Sequence, residues 1–270
     1  MEYFTVYNYD NYIYQIKDSL GVLSTLIVGS NKALLFDTGY GIGNLKNEVE
    51  KIIKDLPLIV VNSHGHMDHT CGNFLFDIVY IHPLDIPLCM EHNSVEMRLS
   101  NVERAKSNNV LPINFDIDSY INKGYGSLRE LKVGDIFDLG NVKLEVIMME
   151  GHTQGSIGLF DRVNKILYVG DATCPFVWLF LNESLPLHLY IEMLERTLKL
   201  DFEYFFVGHG SKKYKKEDMQ KFLSVAKDVN IEKSFKVSFD GFDDCNSYCF
   251  THGKLYGPGD CGIVFDSNKM

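Results

Sequence analysis

Four side chains able to bind a metal fall within six positions, His64-Gly65-His66-Met67-Asp68-His69, where the chain leaves the apolar run LIVVNS at 58–63. Alternate side chains of an extended segment share a face, so His64 and His66 project together. Asp68 and His69 lie past the turn and are free to point to a second centre nearby. Imidazole and carboxylate together are a donor set for Zn²⁺, and Fe or Mn is compatible with it. A polar loop whose histidines only cap backbone groups is the plainer account. Three of the nine histidines packed beside an aspartate favour metal.

Three later segments repeat one pattern, a strand-like run that ends in glycine and a ligand-type residue. GHTQGS puts His152 after KLEVIMMEG, VGDAT puts Asp171 after KILYV, and VGHG puts His209 after EYFF. Taken singly, Asp171 reads as a helix N-cap, and His152 or His209 as a satisfied buried histidine. Taken together they look like one site, because loops at strand ends are where distant segments can converge.

The intervening elements are those such a site needs. KALLFDTG (32–39) reads as a strand ending in a glycine turn. GNLKNEVEKIIKDL (43–56) has apolar residues at helical spacing and is stopped by Pro57. LIVVNSH (58–64) reads as a strand covered on both faces, and IVYIH (78–82) as another. From 131, LKVGDIFDLGNVKLEVIMMEG and SIGLFDRVNKILYVGD read as hairpins turning at Leu-Gly-Asn and Val-Asn-Lys. Residues 186–201 and 215–233 read as helices flanking the strand at 203–210. One domain over 1–270 is expected, with a helical or irregular insertion at about 84–130 and a β-rich extension from about 234.

The length suits one large α/β domain. A net charge of −10 argues against a nucleic-acid binder. The N-terminus lacks a basic region and apolar core of a secretory signal, and VWLFL (177–181) is far too short to span a membrane, so a cytoplasmic location is expected. Six cysteines are too few for a disulfide scaffold. Cys245, Cys249, His252 and Cys261 invite a zinc-knuckle reading, but their spacing matches no standard finger, and small buried residues in a β-rich tail account for them.

The combined motifs resemble the metallo-β-lactamase superfamily, especially its glyoxalase II-like and lactonase-like hydrolases. HxHxDH is matched at 64–69, the later motifs by His152, Asp171 and His209, and the family's first motif by LLFDTG with Asp37. The resemblance spans about residues 10–210 and implies an αββα four-layer sandwich. It implies His64, His66 and His152 on one metal, Asp68, His69 and His209 on another, Asp171 bridging, and Asp37 behind the ligands. The di-iron branch has Glu at the second motif position. His66 stands there instead, which favours two Zn²⁺ per chain. A metal-bridging hydroxide, with Asp68 managing its proton, would cleave an ester, thioester, lactone, amide or phosphoester in a small, anionic substrate.

Around this site, Phe176, Trp178 and Phe180 read as a pocket wall or as core packing, and His188 and Tyr190 as candidate proton donors. The tyrosine that lactonases carry three residues beyond the bridging aspartate is replaced by Cys174. His82, His92 and His252 have no motif context. The basic cluster KKYKK (212–216) reads as a solvated helix start more readily than as an anion lure. Competing readings are an iron persulfide dioxygenase-like oxidoreductase, a nuclease of the same fold, and a silent binding protein. The oligomeric state is open, a homodimer included.

Overall fold

The computed structural model describes residues 2–239 and 246–270. The chain begins with a meander that had no counterpart in the sequence reading: β1 (Phe4–Tyr9), β2 (Ile13–Asp18) and β3 (Leu23–Val28), antiparallel, followed by β4 (Ala33–Phe36). Helix α1 (Leu45–Ile53) then crosses to β5 (Leu58–Val61), which is parallel to β4. The Asn44 side chain caps α1 by accepting from the Asn47 N–H. The helix ends at Ile53, ahead of Pro57, because Lys54 takes φ 56° and turns the chain out of the helix. Leu45, Val49 and Ile53, spaced by four, bury one face against the sheet, at about 2 kcal/mol each.

The motif turn follows as α2 (Met67–Thr70), then β6 (Val79–Ile81), α3 (Ile86–His92), α4 (Val95–Ser107), α5 (Ile117–Ile121) and β7 (Leu128–Glu130). Strands β1 to β7 form the first sheet in sequential order. The region expected to be helical or irregular therefore ends in a strand: residues 128–130 pair in parallel with β6. Leu-Arg-Glu is too short and polar to announce a strand, and backbone pairing at the sheet edge decides it.

The second sheet holds β8 (Ile136–Asp138), β9 (Lys143–Met148), β10 (Ile157–Asp161) and β11 (Ile166–Tyr168). The expected hairpins are there, β8 with β9 and β10 with β11. Beyond β12 (Phe176–Leu179) and α6 (Leu187–Thr197), β13 (Tyr204–Phe206) and β14 (Tyr214–Lys215) complete that sheet, and α7 (Lys216–Lys227) covers it. A third sheet is built from β12 and the C-terminal strands β15 (Phe235–Lys236), β16 (Ser247–Thr251) and β17 (Gly262–Asp266).

The layers follow from where the apolar faces go. Leu35 and Val60 face α1, while Phe36 and Val61 face the second sheet, so β4 and β5 are covered on both sides. Leu144, Val146, Leu159, Tyr168 and Phe206 meet them across the sandwich. Phe160, Leu167 and Phe205 point the other way, onto α6 and α7. The result is helix, sheet, sheet, helix.

The helices at 86–121 are fastened to the motif turn by a buried cation. Arg98 of α4 is 0 % exposed. Its guanidinium donates to the Cys71 carbonyl (3.1 Å), to Asn93 Oδ1 (2.7 Å) and to the Gly124 carbonyl (3.1 Å), and it lies over the rings of Phe74 and Tyr120. Dipoles and aromatic faces here replace the hydration shell.

Of the proposed knuckle residues, Cys245 lies outside the described residues. Cys249 is buried among apolar side chains, Cys261 packs against the helix-side core, and His252 pairs with Asp228 at 3.1 Å.

Replacing Arg98 with Met strands three acceptors, and we expect it to cost about 3 kcal/mol of unfolding free energy in urea titration. A loss below about 1 kcal/mol would show that this anchor contributes little.

Candidate metal centre

Two groups of donors converge at the strand ends. His64, His66 and His152 form one, and Asp68, His69, Asp171 and His209 the other; within each, the donor atoms lie within 4.8 Å of one another. The rings of His64 and His69 are 4.3 Å apart, so the groups adjoin. All seven side chains singled out in the sequence are brought together.

The backbone geometry leaves little slack. Gly208, just before His209, approaches so closely that a Cβ there would stand 2.3 Å from Asp171 Oδ1 and 2.7 Å from His69 Cε1. Asp37 takes φ 71°, a conformation that non-glycine residues rarely adopt and that clusters at functional sites.

Four of the five imidazoles are oriented from behind. His152 Nδ1 lies 2.7 Å from the Trp178 carbonyl, and His66 Nε2 lies 2.6 Å from Glu183 Oε1. His69 Nδ1 lies 2.9 Å from Asp37 Oδ2. His64 Nδ1 lies 2.8 Å from Ser63 Oγ, whose own hydrogen goes to Asp37 Oδ2 at 2.8 Å. A carbonyl and a carboxylate only accept, and the Ser63 hydroxyl has already spent its hydrogen. Each histidine must therefore donate outward, so that in the neutral ring it is the other nitrogen that carries the lone pair. Three such lone pairs meet at the first group, where His66 Nδ1 is 2.9 Å from both His64 Nε2 and His152 Nε2. Burial and the neighbouring imidazoles hold His64 well below the usual histidine range, and burial and His66 bring His152 down to about 4.

Charge dominates the second group. Burial opposes ionisation of Asp68 and Asp171, but His69 and His209 outweigh it and pull both carboxyls below their ordinary range. Against the same burial penalty, Asp171 and its neighbours lift His69 well above its ordinary value and His209 to about 10. Distances from His209 Nε2 are 3.1 Å to Asp171 Oδ2 and 3.3 Å to Asp68 Oδ2. His69 Nε2 and Asp171 Oδ1 are buried and lack hydrogen-bond partners. Lone pairs converging in one group, and orphaned donors with two carboxylates in the other, fit divalent cations.

Several supporting residues had no motif to announce them. Glu183 sits 117 positions from the histidine it contacts. Burial raises its pKa, but the hydrogen bond to His66 outweighs that and brings it to about 2. Asp85 accepts from the Gly65 N–H, the Gly155 N–H and the Thr153 hydroxyl, all at 2.7 Å, and so ties the two histidine loops together. Asn62 donates to the His69 carbonyl at 2.9 Å. His92, read as having no context, stacks on His66 with centroids 5.1 Å apart.

The proposed pocket residues are placed differently. Trp178 packs on Phe180 and Phe239, and Phe176 on Tyr256. Trp178 serves the site through its carbonyl, because β12 turns its partly buried face toward the third sheet's own cluster. His188 is exposed on α6 and belongs to neither donor group. Tyr190 is 0 % exposed and bonds Thr173 Oγ1 at 2.7 Å, so it braces the segment after Asp171 rather than facing a substrate. In the basic cluster, Lys213 pairs with Asp10 and Lys216 donates to the Leu200 carbonyl.

Comparison with known proteins agrees with this fold. The metallo-beta-lactamase superfamily model matches residues 18–209, and the chain belongs to that family. It is 30 % identical over 161 residues to the acyl-coenzyme A thioesterase MBLAC2 of Bos taurus, covering 54 % of this chain and 56 % of that protein. The chain thus spans about half the length of that relative. The probable metallo-hydrolase MJ0888 of Methanocaldococcus jannaschii is 28 % identical, over 69 % of this chain and 86 % of that one. Among solved structures, the sec-alkylsulfatase Pisa1 from Pseudomonas sp. superposes with a TM-score of 0.63 at 15 % identity, covering 83 % of this chain and 41 % of that one. TTHA1623 in a di-iron-bound form gives 0.53 at 21 % identity, covering 74 % and 92 %.

Two outcomes check this arrangement. Gly208→Ala should displace Asp171 and His69 and lower bound metal per chain by elemental analysis; full metal content would contradict the close approach. His69 and His209 carry protons at pH 7 in the metal-free protein, and a metal must expel them. Zinc binding followed calorimetrically in buffers of different ionisation enthalpy should release about two protons per chain at pH 7, and affinity should climb as pH rises toward 10. Binding without proton release would contradict it.

Proposed function

We propose that this chain is a binuclear zinc-dependent hydrolase of the glyoxalase II-like kind, acting on a small acyl thioester. His64, His66 and His152 would hold one ion, Asp68, His69 and His209 the other, with Asp171 shared between them. The observation that carries this reading is the outward hydrogen bonding of four imidazoles, which turns their inner nitrogens toward the site as the atoms available to a metal. Divalent ions there would supply a Lewis acid and a water that ionises near neutral pH.

The chain's own residues do the rest. Asp37 holds Ser63 and His69 at once, so one carboxylate sets the spacing of the two groups. Asp68 has a side chain 19 % exposed, which suits it to pass a proton between the site and solvent. The two side chains read as candidate proton donors, His188 and Tyr190, lie outside the donor groups. That favours a leaving group that departs as an anion. A thiol with a pKa near 8.5 does so far more readily than an alcohol or amine. The thioesterase name of the relatives at 29–30 % identity supports the same choice.

The zinc-loaded protein should hydrolyse acyl thioesters faster than matched oxyesters, lactones, β-lactams or phosphodiesters. His66→Ala should lower turnover by more than about 100-fold, beyond the loss usual for an outer partner, and should remove about one metal per chain. Full turnover in that variant, or one iron per chain with oxygen uptake on a persulfide, would overturn the assignment.

A further inference from the structure

The loop at 180–186 is held from two sides. Toward the sandwich, Ser184 Oγ donates to the His152 carbonyl at 2.9 Å, and the Leu185 N–H to the Gly151 carbonyl at 2.8 Å. Toward the C-terminal sheet, Lys269 Nζ donates to three carbonyls of that loop, those of Leu181, Asn182 (2.9 Å) and Ser184 (3.1 Å). Between these anchors stands Glu183, whose carboxylate takes the Nε2 proton of His66 at 2.6 Å. The strand before the loop, β12, pairs in parallel with β17, and its Trp178 carbonyl orients His152. Two of the three histidines of the first group are thus oriented by atoms that rest on β17 and the residues after it, which lie outside the matched family segment of 18–209.

We propose that Lys269 and Glu183 are positioning residues for the three-histidine centre. Lys269 gathers three carbonyls around its ammonium and fixes the loop; the loop fixes Glu183; Glu183 fixes the tautomer and ring plane of His66. An ammonium suits this task because its three N–H bonds fan out to three separate oxygens. Partners behind a ligating histidine set its basicity and orientation, and losing one weakens metal binding about 10- to 100-fold. The second group rests instead on Asp37, Asn62 and the motif turn, so the effect falls on one ion. This rests on the three-histidine group holding a metal, as proposed above.

The test is competitive titration of the apo chain with Zn²⁺ against a chromophoric chelator, resolving two sites, with Co²⁺ spectra as a second readout. Lys269→Met and Glu183→Ala should each weaken one site about 10- to 100-fold and leave the other within about 2-fold. The double variant should be no weaker than Glu183→Ala, because both act through one contact. Glu183→Gln keeps an acceptor for His66 and should recover most of the affinity, which also guards against a variant that merely fails to fold. Unchanged affinity in Lys269→Met, equal weakening of both sites, or additive losses would overturn the inference. A wild-type chain that binds no metal at the three histidines would instead overturn the reading beneath it.

Discussion

A neutral imidazole has one lone pair, and the ring nitrogen that carries it is decided by what the other nitrogen faces. In this chain a backbone carbonyl, a glutamate, an aspartate and a serine each take the outward proton of one histidine. The inner nitrogens of His64, His66 and His152 are thereby left electron-rich and crowded together at 2.9 Å. Such crowding is unfavourable in an apolar interior unless a cation sits among them, so the surrounding fold has in effect been selected around a charge.

The sandwich is arranged to meet this demand. The motif residues follow β5, β9, β11 and β13, strands drawn from both sheets, and their ends must meet at one rim. Apolar residues between the sheets fix their relative placement, and the close approach of Gly208 shows how little room remains once they have met. Asp37 is the joint: through Ser63 it reaches His64, and directly it reaches His69. Strain in its left-handed backbone is the cost of that reach.

What could be read from the sequence was whatever had local character. The ligand motifs are short, each follows an apolar run, and all seven donors meet as expected. The hairpins and the helices at 45–53 and 187–197 carried clear periodicity. What escaped depends on contacts between distant segments. Glu183 is an acid in an apolar stretch until its loop is folded over His66. Asp85 looks like a surface residue until Gly65 and Gly155 bring their N–H groups to it. The aromatic run at 176–180 was ambiguous because alternating residues face either the helix-side core or the third sheet, and a sequence gives no sign of which cluster lies opposite.

The claim on which the account turns is the proton arrangement of the buried histidines, and nitrogen-15 NMR of the imidazole side chains in the zinc-loaded protein reads it directly. His66 is predicted to carry its proton on Nε2, and His64, His69 and His152 on Nδ1. Finding His66 protonated on Nδ1, or any of the four exchanging freely between tautomers, would contradict it.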